Sequence, residues 1–395
     1  MVSGGINGDR SLWVLLLLLG LFSFLPVFSA ASNLAYTVGQ GTPYSHFVKH
    51  MIILVMGFVL MYIFHNIPQH SFRKIALIGL ILSIGLLVMA TFQNTIIGGA
   101  KASRWLTVPI LGLTFQPSNI SMIALMIYCA HILTKKGKKD QQMTFYKSIL
   151  LLWLPIGLVV GLVLPFDLST AALILLSAVL LIFIGGYSIK RFLIIGALGI
   201  GAFALFIYIN QQGPEADQTN RLGTWKSRVD GFLSGDDHQK NYQIVRAKAA
   251  IASGKIIGVG PGKSRIKTIL PQSTSDFIYA IIVEEYGFLG GVLLMLVYCL
   301  ILFRIVVITY HIREPFKKLL VIGIGIPFVI QALVNIAVSL QLLPVTGLAL
   351  PMMSMGGTSI WITCMAFGII LGMSKYAQNQ NSLDVERIRG IKTDF

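Results

Sequence analysis

The chain has 395 residues, 55% of them hydrophobic and only 12% charged, with a mean hydropathy of +0.79 and a formal charge of +16. A soluble domain carries about twice that charged fraction, so a soluble fold is excluded, and the positive charge reads as topology signal and attraction to anionic lipid rather than nucleic-acid affinity, because much of it lies in short loops between apolar runs. Cys129, Cys299 and Cys364 all lie inside apolar runs with no C-x-x-C spacing, which points to packing rather than a disulfide or metal site.

Ten apolar runs, each near the length that spans a bilayer, follow one another: 12–31, 48–67, 74–93, 116–134, 147–164, 168–187, 190–210, 277–309, 318–342 and 353–376. They predict an all-α polytopic membrane protein, a single integral-membrane unit over 1–395. A large extracytoplasmic loop, 211–276, separates the seventh and eighth helices, and a cytoplasmic tail occupies 377–395. The first run ends in Ser29-Ala30-Ala31, which resembles a signal-peptide cleavage site. It is longer than a signal core and nine further runs follow, so it is expected to be a helix.

With the N-terminus inside, the inner segments carry 17 Lys and Arg, whereas the short outer loops carry only Lys49, Lys101 and Arg104. That asymmetry predicts both termini in the cytoplasm and a multi-pass protein of the cytoplasmic membrane. The long outer loop holds ten basic residues, which is tolerated because long loops translocate largely regardless of charge. It also contains Trp225, Phe232 and Tyr242. The set Ile244, Val245, Ala249, Ala250 and Ile251 predicts an amphipathic helix near the membrane surface. Gly258-Val259-Gly260-Pro261-Gly262 follows as a turn-rich segment. It resembles a phosphate loop only loosely, since no Gly-Lys-Ser/Thr opens a helix after a strand. A structured basic loop on the outer face implies an anionic partner such as a lipid phosphate or pyrophosphate.

Acids are scarce, fifteen in all, so their positions are informative. Asp276 sits where the basic loop enters the eighth span. One reading is a helix start, capped by Ser273, Thr274 or Ser275 with the acid in the first turn. The other is a general base, and the two are compatible. Glu284 and Glu285 follow about two turns deeper. Being adjacent they cannot share one helix face, so one is expected to line an interior cavity or pair with a cation. Asp167 falls in a very short outer loop, where it would also make a good N-cap.

Several segments, in order along nearly the whole chain, resemble the SEDS family (shape, elongation, division and sporulation) of polytopic cell-wall polymerases. They are Ala100-Lys101-Ala102-Ser103-Arg104-Trp105-Leu106, Phe115-Gln116-Pro117-Ser118 and Asp167-Leu168-Ser169-Thr170. Lys267 with Leu270-Pro271, Thr274-Ser275-Asp276-Phe277-Ile278-Tyr279-Ala280 and Glu284-Glu285-Tyr286-Gly287 form the block into the eighth span. The last outer loop contributes Leu343-Pro344-Val345-Thr346-Gly347-Leu348, Pro351 and Ser354-Met355-Gly356-Gly357-Thr358-Ser359. Gly8-Asp9-Arg10, Ser23-Phe24-Leu25-Pro26-Val27 and Ser32-Asn33-Leu34-Ala35-Tyr36 look like the division-type branch as found in Bacteroidetes-like bacteria.

The resemblance implies a peptidoglycan glycosyltransferase that polymerises lipid II into β-1,4 glycan with release of undecaprenyl pyrophosphate, in septal synthesis. It places the catalytic acid on Asp276 and a pyrophosphate contact on Lys267, with Arg104 and Arg246 as further contacts and Asp167 and Glu285 in substrate binding. A divalent cation, Mg or Mn, bridging the pyrophosphate is the one cofactor it suggests. Implied partners are a class B penicillin-binding protein, other division proteins and membrane lipids, with no nucleic acid. Cross-linking is not expected from this chain: its nominal Ser-x-x-Lys, Ser71-Phe72-Arg73-Lys74, lies in a predicted cytoplasmic loop. Three positions depart from the family pattern. Asn119 and Met122 stand where Glu and Lys are common, and Phe166 separates Pro165 from Asp167. The alternatives are a lipid II flippase and an elongation-type polymerase.

Overall fold

The computed structural model describes residues 8–36, 42–92, 96–97, 100–101, 105–108, 113–135, 144–211, 242–270 and 273–393. Its helices in chain order are α1 (Arg10–Tyr36), α2 (Pro43–Asn66), α3 (Gln69–Phe92), α4 (Pro117–Thr134), α5 (Phe145–Val163), α6 (Leu168–Ile184), α7 (Ile189–Gln211), α8 (Tyr242–Gly254), α9 (Ile278–His311), α10 (Pro315–Ser339) and α11 (Gly357–Thr393). Each of the ten predicted spans falls on one of them, and α8 lies in the long loop. Among the described residues, eight helices are long and apolar enough to cross a membrane, and α6 is a shorter apolar one. The chain is an all-α polytopic membrane protein. Two short antiparallel hairpins, β1 (Ile96–Ile97) with β2 (Ala100–Lys101) and β3 (Leu106–Val108) with β4 (Leu113–Phe115), join α3 to α4.

α1 runs on through Ser29-Ala30-Ala31, all three buried, so this stretch is helix interior. α11 continues as one helix to Thr393, through the segment predicted as a tail. α8 is amphipathic as expected, but on a different face. Ile244, Ala247 and Ala250 are buried, the two alanines against Phe277, Ala280 and Ile281, while Val245 and Ala249 are exposed. A helix that packs on a neighbouring helix selects its buried face by contact, not by apolar content alone.

Large apolar side chains cover the outside of the bundle, among them Leu21, Val55, Ile81, Leu193, Leu293 and Phe303. In water this would be an unstable surface; in a bilayer it is the lipid-facing one. The interior is built mainly from α4, α6, α9, α10 and α11, with Leu125, Met126, Ile174, Ile301, Phe316 and Ile370 fully enclosed. Backbone irregularities inside it are satisfied locally, as a hydrocarbon environment requires. Pro155 has no N–H to give the carbonyl of Leu151, one turn of α5 widens to a π-helix over Ile149–Trp153, and the Tyr128 hydroxyl donates to that carbonyl at 2.8 Å.

An ion pair between a buried carboxylate and a partly exposed guanidinium closes one end of the bundle. The Asp9 carboxylate caps α1 through the Leu12 N–H (2.8 Å) and receives two guanidinium N–H groups from Arg304 of α9. Its backbone N–H donates to Ser374 of α11 at 2.9 Å, and Gln378 donates to the Gly8 carbonyl at 3.1 Å. Arg304 lies inside the eighth predicted span, where hydropathy alone does not single it out.

Candidate active site

At the other end of the bundle, residues 273–277 form a turn before α9 begins at Ile278. Asp276 is therefore outside the helix, two residues before it. The N-cap position is Phe277, whose side chain makes no capping bond. Ser273 donates to the Lys267 carbonyl at 3.3 Å, tying the turn to the segment that carries Lys267.

Because no helix holds this turn, its carbonyls are open to other donors, and the loop between α10 and α11, together with α10 itself, supplies them. The Met355 N–H donates to the Thr274 carbonyl (2.8 Å), the Ser354 hydroxyl to Ser275 (2.6 Å) and the Asn335 amide to Asp276 (2.8 Å). The same Asn335 amide reaches the Leu348 carbonyl at 2.7 Å. Asp276 is half-buried, and a Cβ on Gly347 would stand 3.6 Å from its Oδ2, so the loop backbone passes beside the carboxylate. Asn335 was not singled out by the sequence; an isolated polar residue in a span is the only signal it offers.

Glu284 and Glu285 are both buried, each 1% exposed, and both reach the same short segment of the long loop. Glu284 accepts the Ser264 hydroxyl and the N–H groups of Arg265 (3.0 Å) and Ile266 (3.4 Å). Glu285 accepts the Ser29 hydroxyl from α1 and the Ser264 N–H at 3.4 Å. Lys267 joins the cluster through Ser29, its Nζ donating to the Ser29 oxygen (3.0 Å) and to the Gly262 carbonyl (2.7 Å). The expectation that one acid would pair with a cation is met indirectly, by one hydroxyl between Glu285 and Lys267.

The two glutamates meet the loop because α9 is broken beneath them. Gly287 has φ 73° and ψ −175°, which ends one helical segment and starts another. The carbonyls of Glu284 and Glu285 accept from Val259 (2.9 Å) and Gly260 (3.0 Å), while the N–H groups of Phe288 and Leu289 donate to Lys255 (2.9 Å) and Ile256 (3.2 Å). The loop thus supplies the four bonds that the helix gives up, as burial in a membrane demands. Contact is close enough that a Cβ on Gly258 would lie 2.2 Å from the Glu285 oxygen, and one on Gly287 would lie 2.2 Å from the Ile256 oxygen. The glycine run is a docking segment against α9, and the loose likeness to a phosphate loop has this backbone origin.

Asp167 caps α6, accepting the Thr170 N–H at 3.0 Å, and its other oxygen receives the Gln116 amide at 3.4 Å. The Phe-Gln-Pro-Ser and Asp-Leu-Ser-Thr segments are thereby joined around a small cleft lined by Thr91, Gln116, Ser118, Phe166 and Asp167. Thr358, at the start of α11, donates to the Thr114 carbonyl of β4 at 3.4 Å. The segment 354–358 therefore touches both the Asp276 turn and the hairpin leading to Gln116. Arg246 stacks on Tyr242 (5.1 Å), whose hydroxyl donates to Ile269, and is not brought against Asp276 by any of these contacts. Met122 belongs to the buried core, which suits an apolar residue there, and Asn119 is half-buried. Arg104, together with Arg221, Trp225, Lys226, Arg228, Phe232 and Lys240 of the long loop, lies outside the described residues.

The family model for cell cycle proteins of the FtsW, RodA and SpoVE type matches residues 9–379. A probable peptidoglycan glycosyltransferase FtsW from Thiomicrospira cyclica is 32% identical over 93% of this chain and 91% of its own length. Stage V sporulation protein E of Bacillus subtilis is 27% identical over 96% of this chain and 100% of its own. Among solved structures, a chain from a peptidoglycan synthase complex that coordinates polymerization and crosslinking superimposes with a TM-score of 0.70 at 23% identity, covering 95% of this chain and 98% of that one.

Proposed function

The chain belongs to the FtsW, RodA and SpoVE family of cell cycle proteins, and from that premise we propose that it is a peptidoglycan glycosyltransferase that polymerises lipid II. The observation that carries the reading is Asp276: a half-buried carboxylate at the mouth of the bundle, its backbone pinned by three donors and its segment tied to Lys267.

In the proposed reaction the acceptor sugar's 4-hydroxyl gives its proton to the Asp276 carboxylate as its oxygen attacks C1 of the donor sugar. The bond from C1 to the lipid pyrophosphate breaks on the opposite face, the electron pair leaves with the pyrophosphate, and the new link is β. A base on the nucleophile and positive charge on the leaving group lower the barrier of such a displacement. Lys267 suits the stabilisation of the leaving group, because two of its three N–H groups are used, on Ser29 and Gly262, which leaves one for a phosphate oxygen. Arg104 and Arg246 are further contacts for the pyrophosphate, and Asp167 and Glu285 belong to the substrate site in the same reading. Among the described residues no group of three or more His, Cys, Asp or Glu is arranged to hold a metal ion. A magnesium or manganese ion would then be held largely by the substrate's own phosphates and water, and no step is assigned to it.

The setting we propose is the division septum of the cytoplasmic membrane, with both termini cytoplasmic and the Asp276 end of the bundle outside. A class B penicillin-binding protein would cross-link the strand. The test supplies purified protein, with and without that partner, with labelled lipid II and resolves the products by length. Wild type should give polymer, and Asp276→Ala should lower the rate by about 10²–10⁴-fold, the worth of a positioned base, while still binding the partner. Undiminished polymer from the Ala variant would refute the role of Asp276, and transport of lipid II without polymer by the wild type would favour a flippase.

A further inference from the structure

The turn that carries Asp276 is not held by helix geometry, and the residues that do hold it come from elsewhere in the chain. Asn335 is 1% exposed in α10 and gives both amide hydrogens away, to the carbonyls of Asp276 and Leu348. Its orientation follows from chemistry, since both partners are carbonyl oxygens and only the nitrogen side of the amide donates. Its own oxygen is buried with no partner, an arrangement that costs stability; what the side chain contributes is the two donated bonds. Ser354, also buried, repeats the pattern one residue earlier, donating to the Ser275 carbonyl while accepting the Leu350 N–H at 2.7 Å.

We propose that Asn335 and Ser354 are positioning residues that fix the Asp276 carboxylate for reaction, by clamping its backbone to the last outer loop. The inference rests on Asp276 being the base. Asn335 sets where the Asp276 peptide sits relative to Leu348 and so relative to the loop backbone at Gly347. Ser354 sets the peptide before it. With both bonds made, the Asp276 backbone is fixed relative to α10 and the loop, and so is the point from which its carboxylate extends. With either bond lost, the turn is held less firmly at Asp276, and a displacement near 1 Å at a reacting group costs about 10²-fold in rate.

Asn335→Asp is the sharpest variant. It keeps the shape of the side chain but sets a carboxylate oxygen against two carbonyls where an N–H donated. Lipid II polymerisation by Asn335→Asp, Asn335→Ala and Ser354→Ala would be measured as kcat, KM and pH–rate profile, per folded molecule, beside Ser354→Thr, which retains the hydroxyl. The expected result is a kcat lowered about 10- to 100-fold with KM changed far less, as for an interaction realised in the transition state. The acid limb of the pH profile should also move, because the surroundings of Asp276 have changed, and Ser354→Thr should recover most of the rate. In an Asp276→Ala background Asn335→Asp should add no further loss. Wild-type kcat for the two Asn335 variants overturns the proposal. So does a loss that only follows the folded fraction, with the pH profile unmoved. If Asp276→Ala itself polymerises normally, the underlying assignment of the base fails instead, whatever Asn335 does.

Discussion

Single residues at the Asp276 end of the bundle are linked through hydroxyl groups. Ser29 is the clearest case: it donates to Glu285 and accepts from Lys267, so one hydroxyl on α1 sets both the acid and the cation. Lys267→Ala should raise the KM for lipid II about 10-fold or more, since a hydrogen bond to a charged group is worth about 1.5–3 kcal/mol. Ser29→Ala should move KM in the same direction by less, because the Gly262 carbonyl still holds the ammonium. Steady-state kinetics with labelled lipid II checks both, and a KM unchanged in Lys267→Ala would remove Lys267 from substrate binding. Asp276, Glu285 and Asp167 were legible as candidates because acids are scarce in and beside the apolar runs, whereas Lys267 was marked by the family resemblance. Ser29, Ser264, Asn335 and Ser354 were not, because serine and asparagine are unremarkable locally and the bonds that give them meaning join residues far apart in the chain.

At the scale of elements, the long loop and α9 are one construction. The break at Gly287 releases four backbone groups, and residues 255–260 take up all of them. Gly258 has φ 91° and backs directly onto the Glu285 carbonyl. Gly258→Ala should therefore destabilise the protein by about 1–3 kcal/mol from backbone strain alone, with more lost as the ladder separates. Ile257→Ala, on a side chain that is 79% exposed, should change stability by less than about 0.5 kcal/mol in detergent. Thermal unfolding in micelles compares the two, and equal melting temperatures would show that the loop does not need its close approach. Turn chemistry of the glycine run was readable from the sequence. Its docking partner was not, since a helix break at a single glycine leaves the hydrophobic pattern of the span intact.

For the whole molecule, the two ends of the bundle differ in chemistry. One is closed by Asp9, Arg304, Ser374 and Gln378, which join α1, α9 and α11; the other holds the carboxylates and Lys267. Arg304→Met should cost about 3–5 kcal/mol, because it leaves a buried Asp9 carboxylate unpaired. The double variant Asp9→Asn with Arg304→Met should recover much of that, keeping the cap on α1 without the charge. A thermal double-mutant cycle tests this, and polymerisation per folded molecule should stay near wild type. Additive losses would mean that the pair is not a stabilising unit.

The sequence by itself determined the membrane class, ten helices, a polar loop before the eighth span and the acids worth testing, because hydropathy and charge are summed along the chain and need no knowledge of contacts. The face that α8 buries, the helix break under Glu284 and Glu285, the release of Asp276 from its helix and the clamp on its backbone were decided only by the tertiary structure. Each depends on a hydrogen-bonding group being buried beside a distant partner, and inside a membrane such groups are placed by whichever neighbour can satisfy them.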